Sequence, residues 1–327
     1  MRRDNQTTPR GFVLTGFSHF PELQLALFVL FLFMHVVTLA GNTVIIVVIR
    51  VDRGLHTPMY LFLGALSFSE LCYTFSITPK MLSGLVPGTR AICFLGCATQ
   101  MHFSFTFGFM HSLTVMGYDR YVAICHPLRY NTLVTPRVCI QLVVASWLGG
   151  GLLGLLVTCA VFQLPFCQSH QIDHFFCHVP PLLQLACAGG EMVATVVNVL
   201  CMTALLGCFL LILLSYAFIL GRILQMPSAE GRHKTFSTCA SHLAVVVVHY
   251  GCASVVYLQG KSPHTAGASA LVDVSYTVFT PFLSPIIFSL RSKDLKKALW
   301  KSLRKSFVVG KANFWPGFSF SYRSVYR

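Results

Sequence analysis

The chain has 327 residues, of which only 10% are charged and 55% are apolar, against roughly 25% and 45–50% in ordinary soluble proteins. That composition excludes a soluble single domain. The net charge is nevertheless +14, with 24 Lys and Arg facing 10 Asp and Glu, and a nucleic-acid reading of this excess fails because the long uncharged runs leave no basic face on a water-soluble fold.

Residues 1–22 carry no apolar core, so they do not read as a cleaved signal peptide. Asn5-Gln6-Thr7 is an acceptor sequence for N-linked glycosylation at Asn5. Beyond it, stretches free of Asp, Glu, Lys and Arg predict membrane helices, since ~20 apolar residues cross the hydrocarbon layer. The predicted spans are 23–49, 57–79, 91–118, 138–161, 192–221, 235–260 and 271–290. Glu70 interrupts the second and is the only acidic residue predicted deep within a span, which marks it as functional. The expected fold is an all-α membrane protein: an N-terminal segment 1–22, a seven-helix bundle over 23–290, and a cytoplasmic tail 291–327.

With the N-terminus outside, 18 basic residues fall on the inner side and six on the outer. This matches the rule that cytoplasmic loops carry the excess of Lys and Arg, and predicts a multi-pass membrane protein with an outward-facing N-terminus and a cytoplasmic C-terminus. Ten of the 18 lie from Arg291 onward, where Leu295, Ala298, Leu299 and Leu303 recur at helical spacing among lysines and Arg304. The pattern predicts an amphipathic helix on the inner leaflet, with Trp300 at the interface and the basic residues on anionic lipid.

Of the 13 cysteines, five fall on the oxidising side: Cys93, Cys97, Cys167, Cys177 and Cys187. Their pairing is open from spacing alone. His170, His174 and His178 would line one face of a helix, but Pro180-Pro181 interrupts it and nothing supplies the outer shell that orients metal-bound imidazoles, so no metal is expected. Gly260-Lys261-Ser262 lacks the first glycine of a phosphate loop, Val255 standing in its place. Gly150 and Gly154 form a small-residue pair suited to helix packing. No nucleophile with a base, paired carboxylates or zincin motif is present, so the chain reads as no enzyme and implies no cofactor.

At the inner end of the third span, Met116-Gly117-Tyr118-Asp119-Arg120-Tyr121-Val122-Ala123-Ile124-Cys125-His126-Pro127-Leu128 closely resembles the signature of vertebrate olfactory receptors. Gly41-Asn42, Leu55-His56-Thr57-Pro58-Met59-Tyr60, Ser215-Tyr216 and Lys234-Thr235-Phe236-Ser237-Thr238-Cys239-Ala240-Ser241-His242 follow the same pattern in the same order, and the chain is most similar to the family 10 branch. The resemblance implies a rhodopsin-like G-protein-coupled receptor that takes small, mostly apolar odorants and activates a heterotrimeric G protein of the olfactory Gs type, raising cAMP. It implies disulfides Cys97–Cys177 and Cys167–Cys187, leaving Cys93 over. Asp119 and Arg120 are either a local ion pair or the switch that opens a cytoplasmic cavity lined by Tyr121, Tyr216, Lys234 and His242. Pro285 is placed to kink the seventh helix. Glu70 matches an acidic position that helps hold sodium in related receptors, with a protonated carboxyl as the other reading.

Two departures from the family pattern stand out. Ser284-Pro285-Ile286-Ile287-Phe288 replaces a motif usually read Asn-Pro-Ile-Ile-Tyr, losing an amide and a phenol. Cys97 to Arg120 spans 23 positions where the family pattern implies about 25, and two missing helical residues correspond to roughly 200° of rotation and 3 Å of rise. The alternative expectation is therefore a family member with impaired signalling. An enclosed apolar pocket in the outer half of the bundle is the expected ligand site, with candidates His102, Phe105, Thr106, Phe109, Met202, Leu206, Tyr250, Ser254, Tyr257 and Thr277.

Overall fold

Proline, capping side chains and glycine decide where each long apolar run begins and ends as a helix. The structure, a computed structural model, describes residues 11–16, 21–86, 88–108, 111–167, 170–258 and 274–314. The first helix, Gln24–Val51, gives way at Asp52, whose Oδ1 accepts from Gly54 N at 3.0 Å. The second, Pro58–Leu85, and the fourth, Pro136–Phe162, each open on proline, whose missing N–H has no helical partner at that position anyway. Thr135 caps the fourth by accepting from Val138 N. The fifth, Gly190–Leu224, follows Gly189 at φ 76°, a left-handed conformation that favours glycine. The third is described in two segments, Phe94–Gly108 and His111–Cys125, and the sixth runs Ala229–Leu258. The seventh starts as a wide turn over Ser275–Phe279 and continues as Thr280–Arg291.

Among the described residues, the first, second, fourth and fifth helices are long and apolar enough to cross a membrane, and shorter apolar stretches, His242–Gly251 and Thr277–Leu290, lie in the sixth and seventh. The helices also run past the uncharged stretches. The second continues beyond Lys80, the third beyond Asp119 and Arg120, and the sixth begins at Ala229 and so includes Arg232 and Lys234. Charge marks where solvation changes, whereas helical hydrogen bonding persists until proline, glycine or a cap ends it.

Packing closes these helices into a ring: the first lies against the second and seventh, and the seventh against the sixth, which touches the fifth. The third occupies the interior. Its first segment packs on the fourth helix and its second segment on the fifth. The contact with the fourth is exceptionally close. A Cβ at Gly150 would sit 2.4 Å from the Thr106 carbonyl oxygen and one at Gly154 2.7 Å from that of His102, so only glycine fits. Gly41 packs closely on the seventh helix, a Cβ there falling 3.0 Å from Pro285 Cβ.

One end of the bundle carries a three-stranded sheet. Strand β1 (Gly11–Leu14) pairs antiparallel with β2 (Ala91–Cys93) and parallel with β3 (Gln171–Ile172). Alternation buries Phe12 and Leu14 while Val13 faces out. Phe12 joins Phe94 and Phe166 in an aromatic cluster. Disulfides join Cys97 to Cys177 and Cys167 to Cys187 at this end, and Cys93 is a free thiol whose Sγ accepts from Gly96 N.

At the opposite end lies the last helix, Lys293–Phe314, amphipathic as expected, and its contacts add a second role. Its apolar face does not simply lie on lipid: Leu295 and Ala298 are buried in the main core together with Ile45, Val48 and Phe288, and Lys301 Nζ donates to Asp52 Oδ2 at 3.0 Å. Trp300 points away from that core and is 66% exposed.

Candidate functional site

The site at the tail-bearing end grows from one helical turn of the third helix. Asp119 is fully buried, and its Oδ2 accepts from Arg120 Nη2 at 2.8 Å. Its second oxygen, Oδ1, accepts from the Tyr130 hydroxyl at 2.7 Å. Tyr130 stands on a short helical turn, Tyr130–Leu133, reached through Pro127. Burial, then the hydrogen bond to Asp119 and its negative charge, push the Tyr130 phenol above its usual range, so it remains a donor. A buried carboxylate needs this second bond, because an ion pair alone leaves lone pairs unsolvated.

A second link lies one layer deeper. Tyr216 of the fifth helix bonds His242 Nδ1 at 2.8 Å, and His242 Nε2 lies 2.9 Å from the Leu113 carbonyl oxygen of the third. A carbonyl only accepts, so Nε2 carries the proton; in the neutral ring Nδ1 then accepts from the Tyr216 hydroxyl. Three helices thus meet on one imidazole. Tyr121 extends this face, its hydroxyl 3.0 Å from His126 Nε2 and its ring against Phe218. The backbone at Lys234 is helical; its side chain is outside the described residues.

Leu128 follows Pro127 in the same loop and is 99% exposed. Its position inside the motif is visible in sequence; its exposure is not.

Halfway along the bundle, Glu70 is fully buried beside Asn42 and Ser284. Asn42 Oδ1 and both carboxyl oxygens of Glu70 are buried there without a hydrogen-bond partner among the described residues. This oxygen-rich set suits a small hard cation, and it equally suits a protonated carboxyl. Of the two departures nearby, Ser284 keeps a hydroxyl facing Glu70, and Phe288 places its ring in the apolar core.

At the disulfide-bearing end the candidate ligand residues divide. Phe105 packs against the cluster around Cys97 and Met101. Tyr250 is buried with its ring 5.1 Å from Phe209, Thr277 is buried in the wide turn of the seventh helix, and Met202 is half-buried. Three candidates are corrected. Leu206 is 48% exposed on the outside of the fifth helix. The side chains of His102 and Thr106 both lie against Gly154 of the fourth helix, through Nδ1 and Oγ1, rather than toward the bundle centre. The physical reason is the tight glycine seam, which commits that face of the third helix to packing. Phe109 and Asn5, and the side chains of Ser254 and Tyr257, lie outside the described residues. Gln100, absent from the sequence candidates, bridges the second helix and the long loop; its only advance signal is an amide placed one turn after Cys97.

The family model described as "Olfactory receptor" matches residues 31–306. Human olfactory receptor 10H1 is 61% identical over 305 residues, covering 92% of this chain and 96% of the relative. Mouse olfactory receptor 10H28 is 53% identical, covering 94% and 98%. Among solved structures, squid rhodopsin superposes with a TM-score of 0.72 at 16% identity, covering 93% of each chain, which is a likeness of fold. The chain therefore belongs to the olfactory receptor family, multi-pass plasma-membrane receptors of the seven-helix, rhodopsin-like G-protein-coupled class, and is not an enzyme.

Proposed function

We propose that this receptor binds small, mostly apolar volatile molecules in the disulfide-bearing half of the bundle and activates a heterotrimeric G protein of the olfactory Gs type, raising cAMP. The disulfide end faces outward with the N-terminus, and the basic tail lies in the cytoplasm; 18 of 24 basic residues on that side support this orientation. The observation that carries the reading is the pair of adjacent links at the tail end. One holds Arg120 through Asp119 and Tyr130, and the other ties the third, fifth and sixth helices through His242. Such an arrangement has two packings to choose between, and a ligand that prefers one shifts the population. Opening it frees Arg120, a charge offered to the G protein at the same end of the bundle as the exposed Leu128.

The shortened interval from Cys97 to Arg120 leaves both anchors formed, the disulfide at one end and the Asp119 cluster at the other. Among the described residues nothing favours loss of signalling. The test is cAMP in cells supplied with the olfactory G protein, with surface display measured in parallel on an epitope-tagged receptor and a broad odorant panel applied. A dose-dependent rise that is lost in Arg120→Ala is expected; a displayed receptor silent across the panel overturns the reading.

A further inference from the structure

The loop between the fourth and fifth helices enters the bundle instead of covering it. Phe175 and Phe176, neighbours in sequence, are both buried. They share one apolar cluster with Phe31 of the first helix, Tyr73 and Ile77 of the second, and Val274 and Val278 at the start of the seventh. Connecting loops normally lie over the surface, because their backbone polar groups need partners. Here the partners are supplied. Cys177 is bonded to Cys97, and its N–H donates to Gln100 Oε1 at 2.9 Å. The other end of that amide, Gln100 Nε2, donates to the Ser76 carbonyl oxygen at 3.0 Å. Both orientations are forced, since a backbone N–H only donates and a carbonyl only accepts. Ser76 lies in the turn where Pro79, lacking an N–H, interrupts the ladder of the second helix.

The two ties act differently. A disulfide fixes a sulfur but leaves rotation about the bonds behind it, whereas a hydrogen bond to the Cys177 N–H sets the direction of the backbone entering Cys177, which is the backbone of Phe176. We propose that Phe175 and Phe176 are a built-in occupant of the chamber between the first, second and seventh helices, that Gln100 is the positioning residue holding them there, and that ligand is thereby confined to the side of the third, fifth and sixth helices. The receptor selects compact ligands over extended ones, because an elongated molecule finds its second chamber already filled. This rests on the reading of the disulfide-bearing half as the ligand site.

The test uses purified full-length receptor with its disulfides intact. Gln100→Leu keeps the side chain's bulk and removes both hydrogen bonds, so exchange of the Cys177 amide is expected to speed by about tenfold, the worth of one buried hydrogen bond. Gln100→Glu keeps an acceptor for that amide and is expected to exchange near the wild-type rate. Unchanged exchange in Gln100→Leu overturns the role of Gln100. Phe176→Ala vacates a ring-sized space walled by the apolar cluster and the rings of His174 and His178, which a small aromatic molecule can fill, so toluene is expected to raise its melting temperature while leaving the wild type and Leu95→Ala, a surface control, unmoved. Equal shifts in all three, or none in Phe176→Ala, overturn the occupant. If Phe176→Ala does not fold, Phe176→Leu under xenon pressure decides by the same comparison. Neither readout passes through signalling: a silent but displayed receptor strikes the proposed function alone, and a responsive receptor without these shifts strikes this inference alone.

Discussion

Three consecutive glycines in the fourth helix provide a controlled perturbation of the helix seam. A Cβ added at Gly150 would lie 2.4 Å from the Thr106 carbonyl oxygen, while at Gly149 and Gly151 it would meet nothing within 4 Å. Ordinary van der Waals contact begins at 3.4 Å, so Gly150→Ala must push the third and fourth helices apart by about 1 Å, the difference between those two distances. The displaced atom is backbone, which cannot rotate aside, and overpacking of this kind costs ~1–3 kcal/mol. Gly149→Ala and Gly151→Ala share the chemistry without the clash, and each gains ~0.5–1 kcal/mol from the reduced flexibility of the unfolded chain. At roughly 2–4 °C per kcal/mol, the scaling of soluble domains of 150–250 residues, Gly150→Ala should melt roughly 2–12 °C below its two neighbours. A thiol-reactive dye reports the transition, because Cys139 and Cys239 are free thiols buried in the folded receptor. If Gly150→Ala melts together with Gly149→Ala and Gly151→Ala, the close approach is absent, and the assignment of His102 and Thr106 to the seam falls with it.

Cys97→Ser should lower surface display more than Cys167→Ser. The first disulfide closes 80 residues and the second 20, for which chain entropy gives about 4.5 and 3.3 kcal/mol; the reverse order, measured by flow cytometry on a tagged receptor, refutes the ranking. Tyr130→Phe removes one of the two bonds to the buried Asp119 carboxylate. A hydrogen bond to a charged group is worth ~1.5–3 kcal/mol, here toward the lower figure because Tyr130 is only half-buried, so basal cAMP per displayed receptor should rise several-fold, and an unaltered basal level counts against the latch. Lys301→Ala breaks an ion pair with Asp52 whose lysine is largely open to solvent, so it is worth ~0–1 kcal/mol and the melting temperature should fall by no more than about 4 °C. A loss of more than about 4 °C, the most that ~1 kcal/mol gives at 2–4 °C per kcal/mol, would show the last helix to be held by that pair rather than by Leu295 and Ala298.

The tail-bearing end is largely legible in the sequence, because its residues lie within short motifs. Asp119, Arg120, Tyr121, Tyr216 and His242 are nameable from resemblance, and the structure adds who bonds whom. Tyr130 and Leu128 are within reach of the same motif, but their roles depend on a loop folding back under the third helix. The ligand end is poorly legible. His102 and Thr106 are polar residues in the outer half of a span, which makes them candidates; the glycine seam turns them toward the fourth helix. Gln100, Phe175 and Phe176 are invisible for the opposite reason, since their partners stand far away in sequence and an aromatic pair in a loop signals nothing by itself.

By itself the sequence determined what lipid and water decide between them: the apolar spans, the scarcity of charge within them, the concentration of +9 net charge from Arg291 onward, and Glu70 and Asp119 as carboxyls that needed partners. These follow from transfer energies summed along the chain, which are local quantities. Which face of each helix looks inward was left to the tertiary structure. In a bilayer the outer face is as apolar as the core, so periodicity carries little rotational information. The glycine seam, the cysteine pairing and the burial of Phe175 and Phe176 decide that rotation, and with it where a ligand has room.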